Sequence, residues 1–398
     1  MIPGSKGETM ATGALEKLES FGESAVVRGA DGPKFYRLDS ERFGGYFKLE
    51  TLTERHLYER RMRAAETAGA VKLRWGGKGD DGEPLEAIAV ADLAKLSTFL
   101  GKSPYFQQVE AASARLAPFA DAWPRLVWVI DQWKKRGTAR GFTPVHVQDI
   151  LDAVQVLEAA RQRTELDLAV RRLSVSLFQD SKRIEALAGA LDLLTAEEPR
   201  SPARSMEDVL NELGLIRFPQ PLLIAGPGRL KLKGTDAPVS VLDPFIGISP
   251  DALEAIADPG RYVLTVENLT PFNELARSHA GRLEGTVIYV AGMPAPSLLR
   301  ALAAAYRSLP PRIACFHWGD LDLGGFRIAA RIATAGPPAG LKLWRMNPAE
   351  LAAAPGRKVM NKSEIEEINR ISQRQGFGVT VGAGQEAIEQ ESLEVIQP

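Results

Sequence analysis

The last third of the chain alternates apolar, β-rich runs with helical ones, and few folds accept that order. Tyr262-Val263-Leu264-Thr265-Val266, Thr286-Val287-Ile288-Tyr289-Val290, residues 312–318 and Leu341-Lys342-Leu343-Trp344 read as strands. Residues 271–282, 296–309 and 325–335 between them read as helices. Strands that are apolar along their length need cover on both faces, and strand–helix alternation calls for a parallel sheet. Right-handed crossovers then put every strand's carboxyl end on one edge, where open α/β sheets form their sites.

Acids gather at that edge. Glu267 follows the first of these strands, and Asp320 and Asp322 follow the third, in Gly319-Asp320-Leu321-Asp322-Leu323-Gly324-Gly325. Three carboxylates at two strand ends repel one another unless a cation offsets them, and hard oxygen ligands suit Mg²⁺ or Mn²⁺. The glycines leave room for backbone approach to a phosphate at a helix start. The plainer reading is an Asp that caps a helix beside an exposed acid.

The spacing of 53 residues between Glu267 and Asp320 (320 − 267) resembles the topoisomerase–primase, or Toprim, domain. The wording of residues 262–272 and 319–325 resembles the nuclease subunit of Wadjet-type plasmid-defence systems, the JetD/MksG family. Leu213-Gly214-Leu215, Pro219-Gln220-Pro221-Leu222-Leu223 and Asp180-Ser181-Lys182 are similar too. The family pattern has glycine before Asp-Ser-Lys; this chain has Gln179.

The resemblance spans roughly residues 165–398 and implies a DNA endonuclease that hydrolyses circular plasmid DNA. It implies an SMC–kleisin–KITE complex as partner, a homodimer, and Glu267, Asp320 and Asp322 as Mg²⁺ or Mn²⁺ ligands and catalytic residues. Glu391 is a candidate extra ligand or orienting acid, against a plain surface acid. The resemblance also implies an N-terminal arm and winged-helix domain, as in the A subunit of type VI topoisomerases.

The layout expected is a mixed α/β multidomain chain. Residues 1–12 form a flexible leader and 13–115 an α+β, winged-helix-like domain. Residues 116–200 form a helical, winged-helix DNA-binding region, and 201–398 a linker and a Toprim-like parallel α/β domain. In the second segment a helix over 51–69, with Thr53 as its cap, is followed by strands over 70–75 and 87–91 that flank a glycine-rich turn at 76–82. Asp92 caps a helix running to Leu100. Trp123, Trp128 and Trp133 recur every five residues, which mixes helix faces and suits core positions.

With 49 Lys+Arg against 50 Asp+Glu in 398 residues, the chain has no bulk charge with which to coat DNA. Local basic surfaces remain. Lys134, Lys135, Arg136 and Arg140 lie in a stretch without acids, and Lys182 is a further candidate, each against the reading of a solvated loop. One cysteine, Cys315, and four histidines build neither a disulfide nor a zinc finger. No apolar run suits a membrane helix or a signal peptide, so the cytoplasm is the simplest compartment.

Three rivals to hydrolysis stand. A transesterase would attack DNA with a tyrosine, for which Tyr58 has basic neighbours, against a helix-core role. A primase lacks the zinc module it would need. A non-catalytic subunit would only dock DNA or partners. His317, at the third strand's end, is either a core residue or a proton donor beside the acids.

Overall fold

A computed structural model describes residues 6–27, 34–39, 43, 45–76, 84–162, 166–278, 282–351, 356 and 358–398. They fall into two compact units, residues 1–148 and 149–398, so the expected helical region 116–200 is shared between them. No helix among the described residues is long and apolar enough to cross a membrane.

The first unit opens with a helix, Lys6–Val27, where a leader was expected over 1–12. Ala11, Leu15 and Leu18 recur at i, i+4 and i+7 and are fully buried, and that packing outweighs Gly7, Thr9, Thr12 and Gly13 in the first turns. Residues 1–5 lie outside the described residues. A second helix, Leu52–Thr67, is capped by Thr51, whose hydroxyl accepts from Glu54 N at 3.2 Å. Thr51 rather than Thr53 takes this role because its backbone is still extended. Strands Val71–Trp75 and Leu85–Val90 follow and pair antiparallel, with Tyr36–Arg37 on the far side of the latter. Of the glycine-rich turn, residues 77–82 lie outside the described residues. Asp92 caps the helix Leu93–Phe99 as expected. Trp123 and Trp133 are buried, and Trp133 Nε1 donates to Phe142 O at 2.9 Å.

Tyr58 belongs to this unit's core. It is 1% exposed, its ring centroid lies 5.1 Å from that of Tyr46, and burial drives its phenol well above the ordinary value.

The second unit is built on a six-stranded sheet. Its strands in chain order are β1 (Leu222–Ala225), β2 (Ile246–Ile248), β3 (Tyr262–Val266), β4 (Thr286–Tyr289), β5 (Ala314–Trp318) and β6 (Leu341–Leu343), arranged β6-β5-β3-β4-β1-β2. The four expected strands pair in parallel, and β1 and β2 extend the sheet antiparallel beyond β4. The helices used below are α1 (Met206–Glu212), α2 (Leu269–Ser278), α3 (Pro296–Arg307), α4 (Leu323–Ala333) and α5 (Lys362–Gln375).

Every residue of β3 is buried. Alternate side chains feed two cores, one with Phe272 and Leu275 of α2, the other with Leu302 and Ala305 of α3. The chain leaves β3 outward to β4 on one side, returns to β5 on the other, and leaves β5 outward to β6. The connections after β3 and β5 thus part in opposite directions, which opens a crevice at the carboxyl ends of these neighbours.

Ahead of the sheet, the start of the segment expected to open as a linker at residue 201 is pinned by Arg204, which pairs with Asp192 at 2.7 Å and Glu212 at 2.6 Å. Gln179 ends the helix Val170–Phe178 at φ 57°, a left-handed position where glycine is the easier residue.

Candidate active site at the carboxyl ends of two neighbouring strands

Pairing of β3 with β5 continues one residue past the strands, because Glu267 N donates to Trp318 O at 3.0 Å. Glu267 is thereby set beside Gly319. A Cβ at Gly319 would stand 2.3 Å from Glu267 Oε2, so the carboxylate occupies the space that glycine leaves. Asp320 N donates to that same oxygen at 3.2 Å. Asp322 is the N-cap of α4 and accepts from Gly325 N at 2.9 Å. The helix-cap reading and the constellation reading of Asp322 thus describe one arrangement: one oxygen caps the helix, and Asp322 also lines the same pocket as Glu267 and Asp320.

The electrostatics follow from burial. Burial, then the Asp320 and Asp322 charges, drive Glu267 well above the usual carboxylate range. Burial pushes Asp320 up to about 6 against the Gln390 N–H that favours its charged form, with Asp322, Glu391 and Glu389 adding repulsion. Burial raises Asp322 as well, opposed by the amides of Gly325 and Gly324.

Each of the three carboxyls uses one oxygen for the protein's own hydrogen bonds. Asp320 Oδ1 accepts from Gln390 N at 2.7 Å and from Asn268 Nδ2 at 3.1 Å. Among the described residues no group of three His, Cys, Asp or Glu side chains is placed so that it could hold a metal ion as it stands.

Residues 223–395 match the family described as Wadjet protein JetD, C-terminal. This region belongs to the JetD family. No curated protein matches the chain. The family takes its description from Wadjet, and the match is to its C-terminal part.

Within this JetD region, the C-terminal segment closes one side of the site. Gln390 is fully buried; its Oε1 accepts from Asn268 N and its Nε2 donates to Trp318 O, both at 3.0 Å. Glu391 is exposed and reaches the acids through Asn268, whose Nδ2 donates to Glu391 Oε2 at 3.1 Å. Sequence reading picked out Glu391 but missed Gln390 and Asn268. It also missed Asp208, which α1 brings to the pocket of about 300 Å³ lined by the three acids. The signal was present as Ser205, which caps α1 by accepting from Asp208 N; acids in a first helical turn are ordinarily read as partners of the helix dipole.

His317 lies under the site, fully buried. The Thr265 hydroxyl donates to Phe316 O, which leaves its oxygen to accept from His317 Nδ1 at 3.0 Å. Burial pulls His317 down to about 3, so at neutral pH the ring is uncharged with Nε2 bare. Its burial is that of a core residue.

Lys134, Lys135, Arg136 and Arg140 belong to the first unit, and Lys182 to the second. Lys135 pairs with Asp131 at 2.7 Å. Arg136 lies over the Tyr105 ring at 4.7 Å and is partly buried, so part of its charge serves the fold of the first unit. Lys134 is exposed, and Arg140 sits at φ 52° in the turn where Ala139 pairs with Phe142. Lys182, in the JetD-bearing unit, is exposed in a turn held by Asp180 Oδ1 and does not line the acid pocket.

Proposed function

We propose that this protein is the nuclease subunit of a Wadjet system, a Mg²⁺- or Mn²⁺-dependent endonuclease that hydrolyses phosphodiesters of circular plasmid DNA. The observation that carries this reading is the convergence of Glu267, Asp320 and Asp322, all held above their ordinary pKa by burial with no cation among the described residues beside them. A divalent ion offsets that repulsion, and the space kept open by Gly319 lets Glu267 reach it.

Glu267, Asp320 and Asp322 would hold the metal through oxygens not spent on Gly325, Gln390 and Asn268. Bound there, a divalent ion supplies Lewis acidity toward a phosphoryl oxygen and an acidified water. The chain's own part is positional. Gln390 and Asn268 fix the orientation of Asp320, and the cap of α4 fixes that of Asp322. Burial keeps the site at low dielectric, where fixed charges act strongly.

We read the sheet as Toprim-like and the first unit as winged-helix-like. We assign sequence-independent DNA contacts to Lys134, Lys135, Arg140 and Lys182, with Arg136 in a supporting role. A homodimer working with an SMC–kleisin–KITE complex completes the reading. Burial of Tyr58 removes the best candidate for a tyrosine transesterase.

The test is cleavage of supercoiled plasmid with Mn²⁺ by wild type and Asp320→Ala, with and without the SMC partners, on circular and linear DNA. Loss of cutting in the variant and a partner-dependent preference for circles support the proposal. Cutting by Asp320→Ala at the wild-type rate would sink it.

A further inference from the structure

Helix α4 starts at the acid site, capped by Asp322, and leaves it carrying Arg327 and Arg331, one turn apart on one face. Both line a polar cleft of about 310 Å³ behind the acids. The cleft and the acid pocket share Met293, and α1 walls both, with Asp208 and Asn211 toward the acids and Glu212 toward the cleft.

The acids lining the cleft are Glu197, Glu212 and Glu367, and its cations are Arg204, Arg327, Arg331 and Arg374. With Asp192, Glu198 and Arg370, which pair into it, five acids face five arginines, but the ion pairs fall on three of the arginines only. Glu212 and Asp192 pair with Arg204, Glu197 with Arg374, and Glu367 and Glu198 with Arg370. Among the described residues neither Arg327 nor Arg331 has a carboxylate within ion-pair distance. Arg327 donates to Pro202 O at 2.8 Å and Arg331 to Glu212 O at 3.3 Å, both neutral carbonyls. Arg331 Nε is buried without a partner. A guanidinium has five N–H donors and keeps its proton in proteins. Two partly buried cations with spare donors thus face a cavity.

We infer that Arg327 and Arg331 form an anion site for a phosphate group. A planar guanidinium matches phosphate with paired hydrogen bonds, and two of them a helical turn apart offer two such forks. The phosphate comes either from a DNA strand lying across the neighbouring acids or from a small phosphate-bearing anion. Either would bind to the helix whose cap is Asp322.

The test uses the full chain in EDTA, so that no divalent ion can bridge an anion to the acids. Inorganic phosphate is titrated at constant ionic strength against chloride, by calorimetry and thermal shift, into wild type, R327Q, R331Q and R327K. A short DNA duplex is titrated in parallel. Wild type should bind phosphate, and each Gln variant should weaken it at least about tenfold, with R327K intermediate because it keeps the charge but not the fork. A fall for phosphate alone assigns a small anion; a fall for the duplex assigns a strand phosphate. Unchanged affinity for both ligands in both Gln variants overturns the site. If a Gln variant fails to fold, R327K decides by the same comparison. No cleavage is read, so a protein that binds phosphate here and never cuts DNA would end the nuclease reading and leave this one standing.

Discussion

The backbone N–H of Gln390 donates to Asp320 Oδ1 at 2.7 Å, across 70 residues of chain. The Gln390 side chain is the other half of the tie, since it satisfies Asn268 N and Trp318 O inside the protein. Gln390→Ala strands Asn268 N, and an unsatisfied buried group costs about 1–3 kcal/mol, while Trp318 O keeps the Glu267 N–H. We expect a loss of roughly 1–3 kcal/mol in urea unfolding. Exposed Glu391, which touches only Asn268 Nδ2, should cost under about 1 kcal/mol when changed to Ala. Equal losses for the two variants would show that the C-terminal tie does not hold the site.

Gly319→Ala tests the seat of Glu267. The added methyl carbon would lie 2.3 Å from Glu267 Oε2, so the carboxylate has to move. Overpacking of this kind costs about 1–3 kcal/mol, and displacing one ligand should weaken Mn²⁺ binding at least about tenfold. Calorimetric titration of Mn²⁺ into the folded variant reads this directly. Wild-type affinity would mean that Glu267 is not a ligand.

How much of this was legible in the sequence depends on how local the cause was. The strands at 262–266, 286–290, 312–318 and 341–344 announced themselves because burial on both faces leaves an apolar run, and the structure places them within a few residues of those limits. The clustering of Glu267, Asp320 and Asp322 was legible because each lies within four residues of such a strand's end. The start of the helix Lys6–Val27 was not, since Gly7, Thr9, Thr12 and Gly13 read as a loose segment until Ala11, Leu15 and Leu18 find a core. Gln390, Asn268 and Asp208 were missed because their roles come from contacts between distant segments that no local pattern encodes. Gln179 is an intermediate case: the family's glycine marks a left-handed backbone that this chain reaches with a larger residue.

Tyr58→Phe separates hydrolysis from transesterification. The phenol oxygen is buried with no hydrogen-bond partner among the described residues, so its removal strands nothing. The variant should unfold at the same or a slightly higher urea concentration, within about 1 kcal/mol of wild type. It should cut plasmid as wild type does, with no covalent protein–DNA adduct in either. An adduct formed by wild type and lost in the variant would restore the transesterase.

The raised carboxyls make stability depend on pH in a direction opposite to that of salt-bridged acids. Asp320 has its folded pKa up at about 6 against an ordinary 3.8, so between those values the folded state binds more protons than the unfolded. Stability of the metal-free protein should therefore fall as pH rises from about 4 to about 6, by at most on the order of 3 kcal/mol from this group. Glu267 is raised in the same direction and extends the fall to higher pH. Asp320→Asn keeps an oxygen for Gln390 N and Asn268 Nδ2 but carries no charge, so it should flatten the slope and exceed metal-free wild type in stability at pH 7. Divalent ion added at pH 7 should raise the melting temperature of wild type and leave Asp320→Asn nearly unmoved. Thermal unfolding of both proteins from pH 4 to 8, with and without Mg²⁺ or Mn²⁺, measures all of this. A wild-type protein whose stability rises over pH 4–6, or which ignores the metal, would refute the electrostatic account of the site.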